Sequence, residues 1–395
     1  MNFIEELKWR GMLHDSTPEV EQHLNEKMRV GYIGFDPTAP ALTLGNFVQI
    51  MILKLFQLSG HKPVVLMGGA TGRIGDPSGK DKERQLKSYE ELDSNLKSQQ
   101  ATFYKFLDFE SGENAAIVRN NLDFYKDMNV LDFLRDVGKT LTVNYMMSKD
   151  SVKNRLDTGL SFTEFSYQLL QSSDFQKLME NDEVSLQMGG SDQWGNITSG
   201  TEFIRRNLGA KAYAVTTPLL TKADGKKFGK SEEGNIWLDA TMTSPYKFYQ
   251  FWIKTADSDI KKFTRYFTLK SRDEIEQREV ENANNPNELK RLLAEELTIR
   301  VHGQEAYEAV MQVSNMLFAK ASKETLLNLD ASALETIADE IPSFTVSRGM
   351  IENGINIIDL LADHTDIVAS KGDARRAIKN NAVSVNKDKI NNRQT

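Results

Sequence analysis

The sequence predicts an α/β protein, a parallel sheet flanked by helices, with a helical region and a small basic module behind it. Three observations carry this. Residues 29–69 and 183–220 each read strand–loop–helix–strand with continuously apolar strands, the mark of βαβ units in a sheet covered on both faces. Composition is that of an ordinary globular chain, with 39% hydrophobic and 27% charged residues over 395 positions, a length that suits two or three domains. No run reaches the ~18 uncharged apolar residues of a membrane span. The opening MNFIEELKWRGML also lacks the basic start and apolar core of a secretion signal, so a cytoplasmic chain with no membrane partner is expected.

The elements follow in order. RVGYIGF (29–35) is a short buried strand, and DPTAPALTL (36–44) is a loop. GNFVQIMILKLFQLSG (45–60) is a helix, because Phe47, Ile50, Met51, Leu55 and Leu58 recur at helical spacing and Gly60 stands where a helix closes. PVVLMGG (63–69) is a second strand running into the glycine-rich ATGRIGDPSGK (70–80). Residues 85–180 mix charged and apolar groups and read as mainly helical. EVSLQMGG (183–190) is a strand, GNITSGTEFIRRNLG (195–209) a helix closed by Gly209, and AYAVTTPLL (212–220) a strand. Residues 244–325 read as solvated helices and 326–347 as a linker. Residues 371–395 carry seven basic groups against two acidic ones, a local +5 on a chain of net charge −7. Such a patch suits a polyanion, and equally a solvated helix face.

The residue inventory excludes several chemistries. With no cysteine there is no disulfide, no thiolate nucleophile and no Cys-ligated metal. The five histidines are scattered, without HExxH, and no G-x-S-x-G is present. An enzyme built this way works by positioning and electrostatics. Residues 68–80 invite a P-loop reading, but Gly75 stands one residue too close to Gly79-Lys80 and Asp81 follows the lysine. The loop 34–46, stiffened by Pro37 and Pro40 and opened by Gly45, leads into a helix N-terminus near Asn46, which suits a phosphate or is a plain βα connection. In ADGKKFGKSEEG (223–234), Lys226, Lys227 and Lys230 repel one another unless an anion is bound. Tyr167, Gln171 and Asp174 fall on one helical face beside Phe165, Leu170 and Phe175, forming either a polar slot or a solvent-facing stripe.

Taken together, GFDPTA (34–39), GGATGRIGDPSGK (68–80), FLRDVGK (133–139), VNYMMSKDSV (143–152), SFTEFSYQLLQ (161–171), GGSDQWGNIT (189–198), KADGKKFGKS (222–231) and SPYKFYQFWI (244–253) resemble, in order, the bacterial tyrosyl-tRNA synthetases, a class I family. ASKGDARRAIKNNAVSVN (369–386) resembles that family's S4-like RNA-binding module. The resemblance implies a Rossmann-like catalytic domain over 1–221 with a dimer-interface insertion and a mobile lysine-loop segment over 222–243. It implies an α-helical domain over 244–325, a linker over 326–347 and an S4-like module over 348–395, incomplete at its C-terminal end. Two signatures depart from the usual wording. The family's H-x-G-H is here Thr43-Leu44-Gly45-Asn46, and its K-M-S-K-S is Lys227-Phe228-Gly229-Lys230-Ser231.

The implied reaction joins tyrosine to ATP, giving tyrosyl-adenylate and pyrophosphate, and then moves the tyrosyl group to the 3′-terminal ribose of tRNA. A carboxylate is already a nucleophile, so the first step needs no general base. By resemblance, Thr38, Thr43 and Asn46, together with Lys227, Lys230 and Ser231, hold the phosphates. Lys80 and Arg84 add further pyrophosphate contacts. Tyr32 and Asp174 meet the phenolic hydroxyl, and Asp76, Tyr167 and Gln171 hold the α-ammonium. Asp36, Gln187 and Gln193 line the amino acid or adenylate, Asp192 meets the ribose, and Gly45 lets ATP approach closely. Arg375, Arg376 and Lys379 are tRNA candidates by charge. ATP with Mg²⁺ is the expected co-substrate, without a dedicated metal site or tightly bound cofactor, and a homodimer is expected. Tryptophanyl-tRNA synthetase shares the architecture but does not need the Tyr32–Asp174 pair. A synthetase scaffold that only binds RNA is the non-enzymatic alternative.

Overall fold

The computed structural model describes residues 1–395 apart from 79–84, 157–158, 232–233, 319–336, 339–342, 387 and 391–395. Lys80, Arg84 and most of the expected linker lie outside the described residues. The chain forms two compact units, one of residues 1–244 and 250–301, the other of residues 245–249 and 302–395.

The first unit is built on a six-stranded sheet. Its strands are β1 (Asp15–Ser16), β2 (Val30–Phe35), β3 (Lys62–Met67), β4 (Ile117–Asn120), β5 (Val184–Gly190) and β6 (Tyr213–Thr217), in the order β1-β6-β5-β2-β3-β4. All neighbours are parallel except the edge pair β1–β6. The apolar runs of β3, β5 and β6 are almost wholly buried, as a sheet covered on both faces requires. The described residues of 85–180 are mainly helical, with β4 as an addition to that reading: Ile117 and Val118 extend the sheet beyond β3 in a segment too short to show a period.

Helix α1 (Phe3–Arg10) opens the chain, α2 (Leu44–Leu58) follows β2, and α3 (Tyr89–Phe103) follows β3. The long α4 (Phe162–Asp182) precedes β5, and α5 (Trp194–Leu208) links β5 to β6 and ends at Gly209 in the left-handed conformation. Helix α2 is apolar nearly all round because it is enclosed. Its inner side lies on the sheet, and Phe47 stacks on Phe267 of α6 (Asp257–Phe267) at 5.5 Å. The buried Arg10 guanidinium fastens the same layer, donating to the carbonyls of Arg265, Thr268 and Lys270. The helices of residues 257–301 therefore belong to the sheet's own unit.

The second unit includes α7 (Gln304–Phe318), α8 (Arg348–Glu352), α9 (Ile357–Asp363) and α10 (Lys371–Lys379) with a small hairpin of residues 384–389. Ala374 and Ile378 bury one face of α10, while Arg375, Arg376 and Lys379 are exposed. Lys371 joins α10 to α9 by ion pairs with Asp359 and Asp363, and Arg376 pairs with Asp373.

Candidate active site

Chain order reverses across the sheet between β2 and β5. From β2 the chain builds outward through β3 and β4, and from β5 it builds the opposite way through β6. In open α/β sheets the crevice beyond the carboxyl ends at such a switch point receives the ligand. The residues singled out from sequence converge there. Asp36 follows β2, Asp76 lies in the loop after β3, Asp192 and Gln193 follow β5, and α4 crosses behind them. Tyr32 and Gln187 are register partners on β2 and β5, so their side chains share a sheet face.

One end of the crevice is a buried phenol–carboxylate pair. Asp174 is 1% exposed and holds two donors: Tyr125 Oη at 2.6 Å on Oδ1 and Asn121 Nδ2 at 2.9 Å on Oδ2. Burial pushes its carboxyl up from 3.8 to about 7, while the two hydrogen bonds pull the other way. Tyr32 is also 1% exposed and packs edge-on against Phe175. Its hydroxyl is buried with no hydrogen-bond partner among the described residues. Burial, and then the Asp174 charge, hold this phenol neutral and able to donate. The Gln187 Oε1 and Gln171 Oε1 atoms are likewise buried and unpartnered among the described residues.

The middle of the crevice is a polar network. Gln193 donates to Asp76 Oδ2 at 2.6 Å, and the Ser78 backbone N–H donates to Oδ1 at 2.9 Å. Asn196 reaches Ser78 Oγ at 3.0 Å, and Gln171 approaches Gln193 at a long 3.5 Å. Tyr167 Oη donates to Asp36 Oδ2 at 3.0 Å and Thr71 Oγ1 to Asp36 Oδ1 at 2.6 Å. Asp36 comes so near the strand-end glycines that a Cβ on Gly68 would lie 2.0 Å from its Oδ1, so only glycine fits there.

The other end is formed by the α2 N-terminus and the lysine loop. Thr43 caps α2 in a reciprocal box: Thr43 Oγ1 donates to Asn46 Oδ1 at 2.8 Å, and the Asn46 backbone N–H donates back at 3.4 Å. The Thr43 proton is therefore engaged within the cap, and the Asn46 NH₂ is the side-chain donor the cap leaves for a ligand. Thr38 is partly exposed in the same loop, and Gly45 is exposed at the first turn. The lysine loop lies directly over that turn. Phe228 is buried among Phe251, Trp252, Phe263 and Phe267. Gly229 adopts φ 79°, and a Cβ there would stand 3.1 Å from Leu44 Cβ and 3.2 Å from Gly45 N. Lys227, Lys230 and Ser231 flank this anchor and are exposed. The Lys230 carbonyl accepts from Lys222 Nζ at 2.8 Å. Asp192 is exposed just beyond β5.

Asn121, Tyr125, Thr71, Ser78 and Asn196 join the site without having been singled out from sequence. The paired Asn120-Asn121 closing the short run Ile117-Val118-Arg119 is the signal for Asn121, since asparagines commonly end strands and open turns; Tyr125 carries none.

Residues 23–319 match the family model for class I tRNA synthetases (W and Y), and residues 333–395 match that for the tyrosine–tRNA ligase SYY-like C-terminal domain. A tyrosine–tRNA ligase of Cytophaga hutchinsonii is 54% identical over 99% of this chain and 92% of its own length. One from Porphyromonas gingivalis is 52% identical over the same shares, 99% and 92%. The crystal structure of a C-terminally truncated mitochondrial tyrosyl-tRNA synthetase of Aspergillus nidulans superposes with TM-score 0.72 at 30% identity, covering 80% of this chain and 94% of that one.

Proposed function

The chain belongs to the class I tRNA synthetases of the tryptophan and tyrosine group and has the activity of a tyrosine–tRNA ligase; from that premise we propose which residues carry each part of the reaction. The observation that supports the assignment best is the Tyr32 hydroxyl, buried without a partner among the described residues, beside the buried carboxylate of Asp174. A buried hydroxyl left unpaired costs roughly 1–3 kcal/mol, so this pocket is built for a polar ligand atom. The phenolic hydroxyl of tyrosine fits, accepting from Tyr32 and donating to Asp174. An indole offers one N–H donor and nothing for Tyr32 to donate to.

The α-ammonium lies against Asp76, Tyr167 and Gln171, with Gln193 and Asn196 fixing Asp76. Asp36 and Gln187 line the adenylate, and Asp192 accepts from the ribose. The tyrosine carboxylate attacks the α-phosphorus of ATP. The new acyl C–O–P bond forms as the bond to the bridging oxygen breaks, and pyrophosphate leaves with the electron pair. Charge grows on that leaving group. Asn46 Nδ2, the α2 N-terminal amides and Thr38 meet it from one side, while Lys227, Lys230 and Ser231 meet it from the other. Thr43 acts by holding Asn46. Lys80 and Arg84, which lie outside the described residues, are assigned further pyrophosphate contacts by resemblance alone. Magnesium enters as the counter-ion of ATP, held mainly by phosphate oxygens and water. Among the described residues no three His, Asp or Glu side chains gather to hold an ion.

Arg375, Arg376 and Lys379 on the exposed face of α10 serve tRNA phosphates. The large apolar side chains of Val130, Leu131, Val143 and Phe162, each more than half exposed, support a homodimer formed through this part of the catalytic domain. The protein acts in the cytoplasm, where its three substrates meet. Activation of tyrosine and phenylalanine by Tyr32→Phe and Asp174→Ala tests the pocket. The first should lower the tyrosine/phenylalanine ratio roughly 10-fold, and the second should severely damage tyrosine activation. An unchanged ratio in Tyr32→Phe with normal tyrosine use by Asp174→Ala places the hydroxyl pocket elsewhere.

A further inference from the structure

We infer that Tyr125 is a positioning residue for substrate selection: its hydroxyl holds the Asp174 carboxylate charged and aimed at the phenolic hydroxyl, and so sets part of the preference for tyrosine over phenylalanine. This rests on the reading of Asp174 as the phenol's acceptor.

Each Asp174 oxygen already has a resident donor, and the two donors are different in kind. Asn121 is tied into the backbone around it. Its Oδ1 accepts from the Ala70 N–H at 2.7 Å, and its Nδ2 also reaches Thr71 Oγ1 at 3.0 Å. Removing Asn121 would therefore loosen the loop after β3 as well. Tyr125, at the end of the short helix Leu122–Tyr125, has a hydroxyl with two acceptors in reach: Asp174 Oδ1 at 2.6 Å and the Leu170 carbonyl at 2.9 Å. A hydroxyl has one proton, and the nearer, charged acceptor takes it. The ring is held edge-on by Phe124 and Phe133, so the hydroxyl arrives at a fixed place.

The need for such a donor follows from what faces the carboxylate. Asn121 and Tyr125 approach from the segment after β4, the neutral Tyr32 phenol from β2, the neutral Tyr167 phenol from α4 itself, and the Asp36 charge acts from the end of β2. No cation is among these groups. Burial and Asp36 favour the protonated acid, and only the two hydrogen bonds oppose them. A protonated Asp174 has lost the charge that makes it a strong acceptor for tyrosine, yet phenylalanine has no hydroxyl to notice the loss. Tyr125 thus acts on the difference between the two amino acids without touching either.

The test is ATP–pyrophosphate exchange with full-length Tyr125→Phe, a near-isosteric change, using tyrosine and phenylalanine from neutral to alkaline pH, beside Asp174→Asn and wild type. A hydrogen bond to a charged group corresponds to roughly 10- to 100-fold, so kcat/KM for tyrosine should fall by that factor, mainly through KM, with phenylalanine within about 2-fold of wild type. The acid limb of the tyrosine profile should move to higher pH, a change that a merely structural role would not produce. Equal losses for both amino acids, or an unmoved ratio and limb in Tyr125→Phe while Asp174→Asn collapses the ratio, overturn the inference and leave the pocket assignment standing. An unchanged ratio in Asp174→Asn overturns the pocket assignment itself.

Discussion

The lysine loop supports a sharp prediction because its glycines differ in what surrounds them. Gly229 and Gly225 both adopt left-handed backbone, with φ 79° and 78°, but a Cβ on Gly225 would meet nothing within 4 Å. A Cβ on Gly229 would press on Leu44 Cβ at 3.1 Å and Gly45 N at 3.2 Å, the first turn of α2 that is proposed to face the phosphates. The backbone term, roughly 1–2 kcal/mol for any L-residue there, is common to both alanine variants. The contact with α2 falls on Gly229→Ala alone. If it brings the total near 2–3 kcal/mol, docking of the loop weakens by about 30- to 150-fold. Single-turnover formation of tyrosyl-adenylate should then slow by a similar factor in Gly229→Ala, with the tyrosine dissociation constant unchanged. Gly225→Ala carries the backbone term alone and should slow it by about half to two-thirds as much on a logarithmic scale, because a Cβ there meets nothing. Equal effects of the two substitutions, or adenylate formation in Gly229→Ala within about 3-fold of wild type, would refute the claim that close seating of the loop on α2 assembles the phosphate site.

Three further outcomes are expected. Lys230→Ala should lower kcat for activation about 100-fold with little change in tyrosine binding, since its charge is needed chiefly as pyrophosphate leaves; pre-steady-state kinetics separate the two. Deleting the residues after about 342 should leave adenylate formation largely intact while tRNA charging falls sharply and loses its salt dependence, because the phosphate contacts assigned to α10 go with the deletion. Asp174→Asn should melt higher than wild type at alkaline pH. A carboxyl that rises from 3.8 unfolded to about 7 folded binds more protons when folded, so wild-type stability falls as pH rises through that window. The loss amounts to at most about 4 kcal/mol, and the gap between the two melting curves should close only as the pH falls to about 4, the unfolded value.

The sheet was legible in sequence wherever burial on both faces forced a continuous apolar run, as in PVVLMGG and EVSLQMGG. β4 escaped because four residues, one of them the charged Arg119, show no period, and the two-residue β1 shows none either. The crevice was partly legible because its residues stand in loops after strand ends, where motif wording is dense. What sequence could not show was how these groups use one another. Thr43-x-x-Asn46 carries the spacing of a capping box, and the structure shows the pair bonded to each other, which divides a role that the signature alone assigned to both. Tyr125 sits in NNLDFYKD, a stretch with no signature, and reaches Asp174 only through the fold. The anchor in the lysine loop was equally hidden, because a phenylalanine between lysines reads as polar loop until four aromatic rings enclose it.

One crevice is proposed to activate tyrosine and to select it by its hydroxyl. Amino-acid-dependent ATP–pyrophosphate exchange by the unmodified protein, run against all twenty amino acids, tests it most directly. Robust exchange with tyrosine, far weaker exchange with phenylalanine and none with tryptophan are expected. Exchange with tryptophan equal to that with tyrosine, or no exchange with any amino acid, would contradict it.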